Sequence, residues 1–500
     1  MKVLEIKVLK GPNYWSVRRT KLIQMKLDLE DLEQKPTNLI PGFRERLEKM
    51  FPTMIEHRCS EAVRGGFFMR VDEGTWMGHV IEHIALEIQT LAGMDTGFGR
   101  TRTPEGEQEG VYYVVFSYME EDAGVFAAKS AVRIAEALIA GTDYDLEADI
   151  QEMREIREDT RLGPSTGCIV EEAAKRGIPY IRLNKHSLVQ LGYGVNQKRI
   201  RATIASTTSN IAVDIACDKE ETKLLLEAAE IPVPRGTVIR TEEGMDAAIE
   251  KFGYPLVIKP IDGNHGKGNT TNIINREQAL VAFAAAKEYG RSVIIEKFIT
   301  GFDFRCLVIN NKFICAALRT PASVVGDGQH NIQWLIEETN KDPRRGFGHE
   351  KVLTQITIDQ FTQKMLDDAQ YTLETIPEKG ERVMLKPTAN LSTGGTSTDV
   401  TDEVHPANIF MFERIAKIIG LDICGIDIMV ADLRKPVAEN GGAILEVNAA
   451  PGFRMHIDPS EGLPRNVAEP VVDMLFPKGS VGRIPIIAIT GTNGKTTTTR

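Results

Sequence analysis

The residues best suited to metal chemistry in this sequence are two carboxylates and an amide that lie late in the chain. Asp427 lies inside an apolar run at 424–429, and Glu446 and Asn448 end a second run at 443–448. Glu446 and Asn448 are two positions apart, so on a strand both side chains point to one face. Carboxylate and amide oxygens are ligands that Mg²⁺ takes together with nucleotide phosphates. The three residues therefore predict a magnesium site beside a nucleotide.

A lysine at the end of another apolar run is suited to phosphate binding. Lys259 precedes a glycine-rich loop that contains Gly266, Lys267 and Gly268. A lysine on a strand supplies a fixed cation to a triphosphate. The glycines let backbone N–H groups approach phosphate without interference from side chains. A second strand-like run ends in Lys386, which is an alternative for the same role, although the loop after it lacks this glycine spacing.

A third apolar run, at 293–299, offers an edge for adenine. The residues at its end that can supply a backbone donor and acceptor beside a polar side chain are Glu296, Lys297, Phe298 and Ile299. Asp303 follows and can accept hydrogen bonds from ribose hydroxyls. Each feature alone also fits an ordinary strand end, turn or edge charge. Their occurrence in one order along the chain favours a single ATP site.

The same features in the same order resemble the ATP-grasp carboxylate–amine ligases. The resemblance implies an enzyme that uses ATP to activate a carboxylate as an acyl phosphate and then joins it to an amine. It implies that Lys219 and Lys259 bind the nucleotide, that 296–299 is the adenine hinge and that Asp303 is the ribose acceptor. The Mg²⁺ ligands that it implies are Asp427, Glu446 and Asn448.

The sequence departs from that family just before the first metal carboxylate. Many relatives place an arginine two residues before it, whereas this chain has Gly425. The cation that balances the phosphate must then come from elsewhere. The candidates are Lys267, Arg305, Arg319 and Arg454.

A polar loop offers groups for the reacting carboxylate. Ser392, Thr393 and the backbone of Gly394 and Gly395 can hold the carboxylate or the developing oxyanion near the metals. An ordinary polar turn is the alternative.

A second phosphate loop lies at the C-terminal end. An apolar run at 484–489 predicts a buried strand, and the residues after it that form a phosphate cradle are Gly491, Gly494, Lys495 and Thr496. The loop departs from the common GxxxxGKT spacing, because position 489 is isoleucine. It resembles the shorter loop of the Mur ligases, with a chance turn as the alternative. We therefore expect 478–500 to begin a Mur-ligase-like domain and the chain to be the front part of a longer protein.

An ATP-grasp unit followed by a Mur-ligase-like loop resembles the cyanophycin synthetase family, as do the local runs at 187–194 and 390–401. The resemblance implies a polymerase of aspartate and arginine. The ATP-grasp unit would phosphorylate the C-terminal carboxylate of a primer and join aspartate to it, and the Mur-like unit would add arginine to the β-carboxylate. Two alternatives remain: a dipeptide or glutathione-type ligase that builds no polymer, and a non-catalytic ATP-binding regulatory module. The regulatory module would predict a damaged metal set, which the sequence does not have.

A separate metal motif lies near the N-terminus. His79, Glu82 and His83 have the HxxEH spacing, which places them on one face of a helix. Two histidines one turn apart can bind Zn²⁺, and Glu82 can deprotonate a water, so the motif predicts a hydrolytic site. The candidates for a third ligand are Glu87, Glu120, Glu121 and Asp122. Cutting polymer would create new primers. A purely structural helix is the alternative.

These residues require three α/β units to position them. The predicted organisation is an N-terminal α/β domain at 1–160, an ATP-grasp domain at 161–477 and the first strand and phosphate loop of a Mur-ligase-like domain at 478–500. A charged stretch at 147–161 predicts a solvated helix that links the first two domains. Residues 321–380 are predicted to form an inserted lobe or lid.

Composition narrows the functional classes. The net charge of −10 argues against nucleic acid as a partner. No run of 18 apolar residues or secretory signal is present, so neither a membrane span nor secretion is expected. Six cysteines without a CxxC pair predict reduced, small buried side chains in a cytoplasmic protein. A homo-oligomer is expected.

Overall fold

The computed structural model describes residues 1–11, 13–16, 19, 21–104, 106, 108–261, 268–346, 351–485, 487 and 489–500. The predicted phosphate-loop residues Gly266 and Lys267 lie outside this set, whereas Gly268 lies within it. The chain divides into two compact units, Met1–Arg161 and Leu162–Arg500. Within the described residues, every helix is too short or too polar to cross a membrane.

The first unit is an antiparallel sheet packed against helices. Its strands, in the sheet order β1-β2-β4-β3, are β1 (Lys2–Lys10), β2 (Lys21–Asp28), β3 (Gly99–Arg102) and β4 (Val111–Ser117). Its helices are α1 (Phe43–Met50), α2 (Gly66–Glu73), α3 (Met77–Leu91), α4 (Glu121–Ala140) and α5 (Leu146–Thr160). Ile23 and Met25 on β2 join the core formed with the helices, whereas Leu22 packs with Trp15 and Val115. The alternation follows from the two-residue repeat of a strand.

The segment predicted to be a solvated link between domains is helix α5, and it packs on the first unit. Ile150 and Met153 are buried in the same core as α3 and α4. Arg154 Nη2 donates to the carbonyl oxygen of Leu91 at 3.3 Å. The predicted helix is present and most of its residues are exposed or half-buried, and two apolar residues three positions apart give it one face that is buried on the first unit.

The second unit contains several antiparallel sheets. One four-stranded sheet consists of β5 (Tyr180–Arg182), β6 (Leu188–Leu191), β7 (Lys198–Arg201) and β8 (Ile204–Ala205). A second four-stranded sheet consists of β9 (Gly236–Ile239), β10 (Leu256–Pro260), β11 (Thr270–Ile273) and β12 (Val293–Lys297). The five-stranded sheet consists of β13 (Phe302–Ile309), β14 (Lys312–Thr320), β19 (Thr396–Asp399), β20 (Ile423–Val430) and β21 (Ala443–Asn448). Two short sheets are formed by β15 (Ser323–Val325), β16 (Arg345–Gly346), β17 (Leu353–Thr354) and β18 (Arg382–Met384).

The helices of this unit are α6 (Pro164–Lys175), α7 (Asn210–Cys217), α8 (Lys219–Ala228), α9 (Glu242–Phe252), α10 (Arg276–Lys287), α11 (Ile332–Asn340), α12 (Gln360–Asp368), α13 (Pro406–Ile419), α14 (Arg454–Ile457), α15 (Ala468–Leu475) and α16 (Lys495–Thr499). Helices α9 and α10 pack on the sheet β11-β10-β12-β9. The sheet β19-β14-β13-β20-β21 is buried on both faces: Cys306 joins the cluster of Phe412 on α13, and Leu307 joins that of Phe453. These two sheets carry most of the predicted ligase residues.

The predicted inserted lobe has a small core of its own. Its buried apolar residues are Ala322, Val324, Ile332, Leu335, Ile336, Ile356, Leu366, Val383 and Leu385. The second strand-borne lysine, Lys386, lies beside this core. It is 3% exposed and its ammonium lies 2.6 Å from Asp359.

The C-terminal segment differs from its prediction. The described residues between 484 and 489 form no strand, and Ile487 is 84% exposed. An apolar run becomes a buried strand only when a neighbouring strand pairs with it, and no such pairing occurs among these residues. The phosphate-loop sequence does lead into a short helix, α16, which begins after Gly494 in a left-handed conformation (φ 79°). The predicted Mur-ligase-like unit is therefore only partly supported.

The cysteines also differ in part. Cys306, Cys315 and Cys424 are buried, as predicted. Cys217 is exposed, and Cys59 and Cys168 are only half-buried. Composition alone could not reveal this difference, because exposure depends on tertiary neighbours.

Candidate active site and metal centre

A cavity in the second unit brings together four of the predicted ligase residues. Lys219 comes from α8, Lys259 from β10, Glu296 from β12 and Glu446 from β21, and all four line the cavity. Its apolar walls include Leu226, Val233, Ile294, Ile444 and Val447. A lining that combines apolar side chains with lysines suits a nucleotide, whose base is largely apolar on its faces and whose phosphates are anionic.

Glu296 lies between two lysines inside this cavity. Its Oε1 atom is 2.5 Å from Lys259 Nζ and its Oε2 atom is 3.4 Å from Lys223 Nζ. Lys259 pairs with Ile294 in the register of β10 and β12, which places Lys259 and Glu296 on one face as diagonal neighbours. Lys223 was missed from the sequence. Its position one helical turn after Lys219 was the available signal.

The alternative lysine, Lys386, has partners outside this cavity. Lys386 Nζ donates to the carbonyl oxygen of Thr357 at 3.0 Å in addition to its ion pair with Asp359. It does not line the cavity that holds Lys259. The geometry therefore favours Lys259 for the phosphate role.

The predicted adenine hinge is partly engaged by the protein itself. The backbone N–H of Lys297 donates to Arg235 O at 2.8 Å and that of Phe298 donates to Pro255 O at 3.0 Å. These two N–H groups are therefore already paired, and the adenine contact expected of Glu296, Lys297, Phe298 and Ile299 stays a prediction. The physical reason for the pairing is that β12 is an inner strand with neighbours on both sides. Ile299 follows the end of this strand.

Two arginines and two aspartates form a buried charge cluster on adjacent strands. Arg305 is directly opposite Asp427, and its guanidinium contacts both carboxylate oxygens, with Nη2 3.0 Å from Oδ2. Arg319 Nη2 lies 2.5 Å from Asp303 and 3.2 Å from Asp427. Two of the three predicted arginines, Arg305 and Arg319, thus meet the first predicted metal carboxylate.

The cluster shifts the pKa values of its two aspartates in opposite directions. Burial acts to raise the pKa of Asp427, but Arg305 and Arg319 outweigh burial and hold it below its ordinary value. For Asp303, burial is the largest cause and, with the charge of Asp427, it raises the pKa despite Arg319. Asp303, predicted as a ribose acceptor, uses Oδ1 to accept from Arg319 Nε and Nη2. Ribose would have to share this carboxylate with Arg319.

The predicted magnesium ligands lie side by side on β20 and β21. Asp427 is directly opposite Glu446, and Asn448 is opposite Gly425. The Nδ2 atom of Asn448 is buried without a hydrogen-bond partner among the described residues. An all-oxygen donor set of two carboxylates and an amide fits Mg²⁺. Asp427 would have to share its oxygens with the arginines.

The glycine that replaces the family's arginine has a steric reason. A Cβ atom at Gly425 would lie 2.6 Å from Pro451 Cβ and 3.5 Å from Arg305 Nη1. A side chain at this position would collide with Pro451 and crowd the Arg305 guanidinium. Arg305, from the neighbouring strand, supplies the cation beside Asp427 instead.

The polar loop is tightly fitted. A Cβ at Gly394 would lie 2.8 Å from Ile356 Cγ1, and one at Gly395 would lie 2.8 Å from the carbonyl oxygen of Asn390. Arg345, itself buried, donates to Gly394 O at 3.1 Å. Ser392 is exposed at the end of this loop.

The remaining arginine candidate, Arg454, has its own contact. Its Nη2 atom donates to Thr354 Oγ1 at 3.2 Å, and burial lowers its pKa. Asp427 forms its ion pairs with the other two arginine candidates, Arg305 and Arg319.

The histidine motif of the first unit acquires a third donor from a distant segment. The ligand atoms of Cys59, His79 and His83 all lie within 4.8 Å of one another. Cys59 Sγ is 3.2 Å from His79 Nε2, and Thr75 Oγ1 is 3.0 Å from His79 Nδ1. One thiolate and two imidazoles form a donor set that suits a tetrahedral metal such as Zn²⁺ with one open position.

The acidic residues predicted near this site have other contacts. Glu82 accepts from Thr101 Oγ1 at 2.7 Å, and burial raises its pKa to about 7. Glu87 binds His57 at 2.7 Å rather than completing the donor group. Glu120, Glu121 and Asp122 lie at the start of α4 and are not part of this group in the described chain. Among the described residues, the third donor of this group is Cys59, which the sequence did not suggest, and none of the acidic candidates belongs to the group.

Comparisons with known proteins agree with this architecture. Residues 24–140 match the family described as cyanophycin synthase-like N-terminal domain, and residues 224–313 match the ATP-grasp domain. The cyanophycin synthetase of Trichormus variabilis is 53% identical over 504 residues, which cover 100% of this chain and 56% of that protein. That of Geminocystis herdmanii is 54% identical over 506 residues, covering 100% and 58%. The chain thus spans somewhat more than half the length of these curated relatives.

More distant relatives share the fold. A glutathione biosynthesis bifunctional protein of Clostridium perfringens is 32% identical over 327 residues, covering 64% of this chain and 41% of that protein. The crystal structure of a bifunctional glutathione synthetase from Pasteurella multocida has a TM-score of 0.53 at 20% identity, covering 92% of this chain and 82% of that chain. The predicted class, a multidomain α/β protein with an N-terminal domain and an ATP-grasp domain, is confirmed.

Proposed function

We propose that this chain, which resembles the cyanophycin synthetases over its full length, is an ATP-dependent carboxylate–amine ligase. The observation that carries the proposal is the convergence of Lys219, Lys259 and Glu446 in one cavity, with Asp427 directly opposite Glu446 on the neighbouring strand. Phosphate-binding cations and metal-binding carboxylates are the two requirements of phosphoryl transfer from ATP. The resemblance confirmed above supplies the expectation of a ligase.

The reaction would proceed in two steps. An oxygen of the substrate carboxylate attacks the γ-phosphorus of ATP, and ADP leaves. An amine then attacks the carbonyl carbon of the acyl phosphate, phosphate leaves with the C–O bonding electrons, and the amine loses a proton. Lys219 and Lys259 would hold the triphosphate, and Lys223 would assist. Arg305 and Arg319 would balance charge on the acyl phosphate.

Magnesium fits the donor set of this site. Asp427, Glu446 and Asn448 would hold it, and it would neutralise charge on the nucleotide phosphates when bound. The loop that contains Ser392, Gly394 and Gly395 would position the substrate carboxylate.

The finer proposal concerns the substrates. The carboxylate would be the C-terminus of a cyanophycin primer and the amine that of free L-aspartate. A Mur-like unit would attach L-arginine to the new β-carboxylate. Primer- and aspartate-dependent phosphate release tests this proposal. A glutathione-type ligase would instead respond to small acceptors, and a regulatory module would bind ATP without turnover.

A second candidate function is favoured by the group of Cys59, His79 and His83. We propose that the first unit cleaves polymer and so generates primers. A bound Zn²⁺ would supply a Lewis acid at this site. Glu82 would take the proton from the attacking water, and its side chain must turn away from Thr101 to do so.

Two measurements test the second function. Metal analysis of the full chain should find about one zinc per chain, lost on His83→Ala. Incubation with polymer but without ATP should give shorter chains, and Glu82→Gln should stop cleavage while leaving elongation of added primers intact. Absence of both metal and cleavage would make the helix purely structural.

A further inference from the structure

A continuous chain of hydrogen bonds leads from a buried carboxylate to one of the proposed metal ligands. His57 Nε2 lies 2.7 Å from Glu87 Oε2, and His57 Nδ1 lies 2.8 Å from His83 Nδ1. The Thr53 hydroxyl donates to the other carboxylate oxygen of Glu87. Glu87 and His83 are both buried on α3, whereas Thr53 and His57 come from the segment before α2.

The direction of these hydrogen bonds defines the ring tautomers. An ionised carboxylate only accepts, so the hydrogen between His57 and Glu87 lies on His57 Nε2. A neutral imidazole carries one N–H, so His57 Nδ1 accepts and His83 Nδ1 donates. The lone pair of His83 is then on Nε2. The Thr75 hydroxyl can accept from a His79 Nδ1–H, and this tautomer leaves the lone pair of His79 on Nε2, the atom that lies 3.2 Å from Cys59 Sγ.

Stacking restricts the same ring. The Phe67 ring lies over His83 with the ring centroids 4.0 Å apart and an interplanar angle of 21°. His83 is therefore held both at its edge by His57 and on its face by Phe67. A ring fixed in this way has little freedom to turn its Nε2 atom away from the group.

We infer that Glu87 and His57 are positioning residues that present His83 Nε2 to a metal ion bound by Cys59, His79 and His83. The inference rests on the proposed metal site of the first unit. It gives Glu87, a candidate ligand on sequence grounds, a different role at the end of the relay. A carboxylate hydrogen-bonded through an imidazole makes the ligand more basic, and loss of such partners typically weakens metal binding about 10–100-fold.

The experiment measures zinc affinity in the full chain by competition with a chelator of known affinity. Glu87→Gln keeps the size of the side chain and removes its charge, and His57→Gln breaks the relay. Both variants should bind zinc about 10–100-fold more weakly than the unmodified chain. Glu45→Gln, at an exposed position on α1 of the same unit, makes the same chemical change away from the metal site and is the matched control, so its zinc affinity should stay within about twofold.

Cobalt substitution supplies a second readout. The Co²⁺ absorption bands report the ligand geometry, and they should change in both relay variants but not in Glu45→Gln. Circular dichroism identifies any unfolded variant, and if His57→Gln unfolds, the nearly isosteric Glu87→Gln decides. Zinc affinities and Co²⁺ spectra equal to those of the unmodified chain in a folded Glu87→Gln variant would overturn the relay while leaving the metal site intact. An unmodified chain that binds no zinc would overturn both.

Discussion

Lys259 and Glu296 form an ion pair of 2.5 Å inside the cavity of the second unit, as diagonal neighbours on the adjacent strands β10 and β12. Glu296 is 5% exposed, so its carboxylate depends on lysine partners rather than on water. Its other oxygen faces Lys223 at 3.4 Å. Two lysines around one carboxylate leave a net positive charge where the resemblance to ATP-grasp ligases expects the triphosphate.

The first prediction concerns Lys223, which contacts Glu296 and lines the same cavity. Lys223→Ala should raise the KM for ATP about tenfold, since a hydrogen bond to a charged group is worth about 1.5–3 kcal/mol. Steady-state kinetics with varied ATP checks this. Lys251→Ala, on the exposed side of α9, is the control and should leave KM unchanged. Equal KM values for the two variants would exclude Lys223 from the nucleotide site.

The second prediction concerns the metal. Glu446→Gln should keep the fold and abolish Mg²⁺-dependent turnover, because it removes one charged oxygen from a set of three proposed ligands. Titration of activity with Mg²⁺ is the measurement, and circular dichroism checks the fold. Full activity of the variant at ordinary Mg²⁺ concentrations would move the site away from β21.

The third prediction concerns acid stability. His456 is 2% exposed, both of its ring nitrogens lack partners among the described residues, and burial lowers its pKa to about 3. The unfolded chain therefore binds a proton below about pH 6.5 that the folded chain refuses, and stability falls as pH falls from there toward 3. The slope reaches about 1.4 kcal/mol per pH unit.

Replacement of His456 should remove its contribution to the pH dependence of stability. Between pH 6.5 and 5, the free energy of unfolding of His456→Leu should fall by about 2 kcal/mol less than that of the unmodified chain. Urea unfolding at the two pH values measures this difference, in which shared contributions from other groups cancel. Parallel pH dependence in both proteins would refute the assignment.

The fourth prediction concerns the C-terminal phosphate loop. Lys495 donates to the carbonyl oxygens of Gly491 and Thr492, and the described residues from 484 to 489 form no strand behind it. We therefore expect no nucleotide binding at Lys495 and Thr496 in this 500-residue chain and no attachment of arginine. Incubation with ATP, primer, aspartate and labelled arginine tests this. Incorporated label would show that the loop works as it stands.

Much of the ligase site could be predicted because its residues lie in local patterns. The sequence alone, without tertiary information, shows the apolar runs of β10, β12, β20 and β21 and the residues at their ends. The apolar run before each lysine and the proline after it do not distinguish Lys259 from Lys386, because both lysines have them. The glycine-rich loop that follows Lys259 favoured it on sequence, and the three-dimensional partners, Glu296 for one and Asp359 for the other, separate the two lysines.

The proposed metal site of the first unit shows the same limit. The helical spacing of His79 and His83 identified them in the sequence. Cys59 and His57 precede α2, lie far from α3 in sequence and belong to no recognisable motif. The prediction of a strand at 484–489 was wrong for a related reason, because a hydrophobic pattern does not show whether a partner strand is available.

The central claim, ATP-dependent activation of a carboxylate at Lys259, has one most direct measurement. Phosphate release is followed with ATP, Mg²⁺ and a short aspartate–arginine polymer, with and without free aspartate. We predict release that depends on aspartate and falls at least about a hundredfold in Lys259→Ala, since such electrostatic contacts contribute several kcal/mol to the transition state. Lys251→Ala should match the unmodified chain. Activity of a folded Lys259→Ala within a few-fold of the unmodified chain would contradict the account.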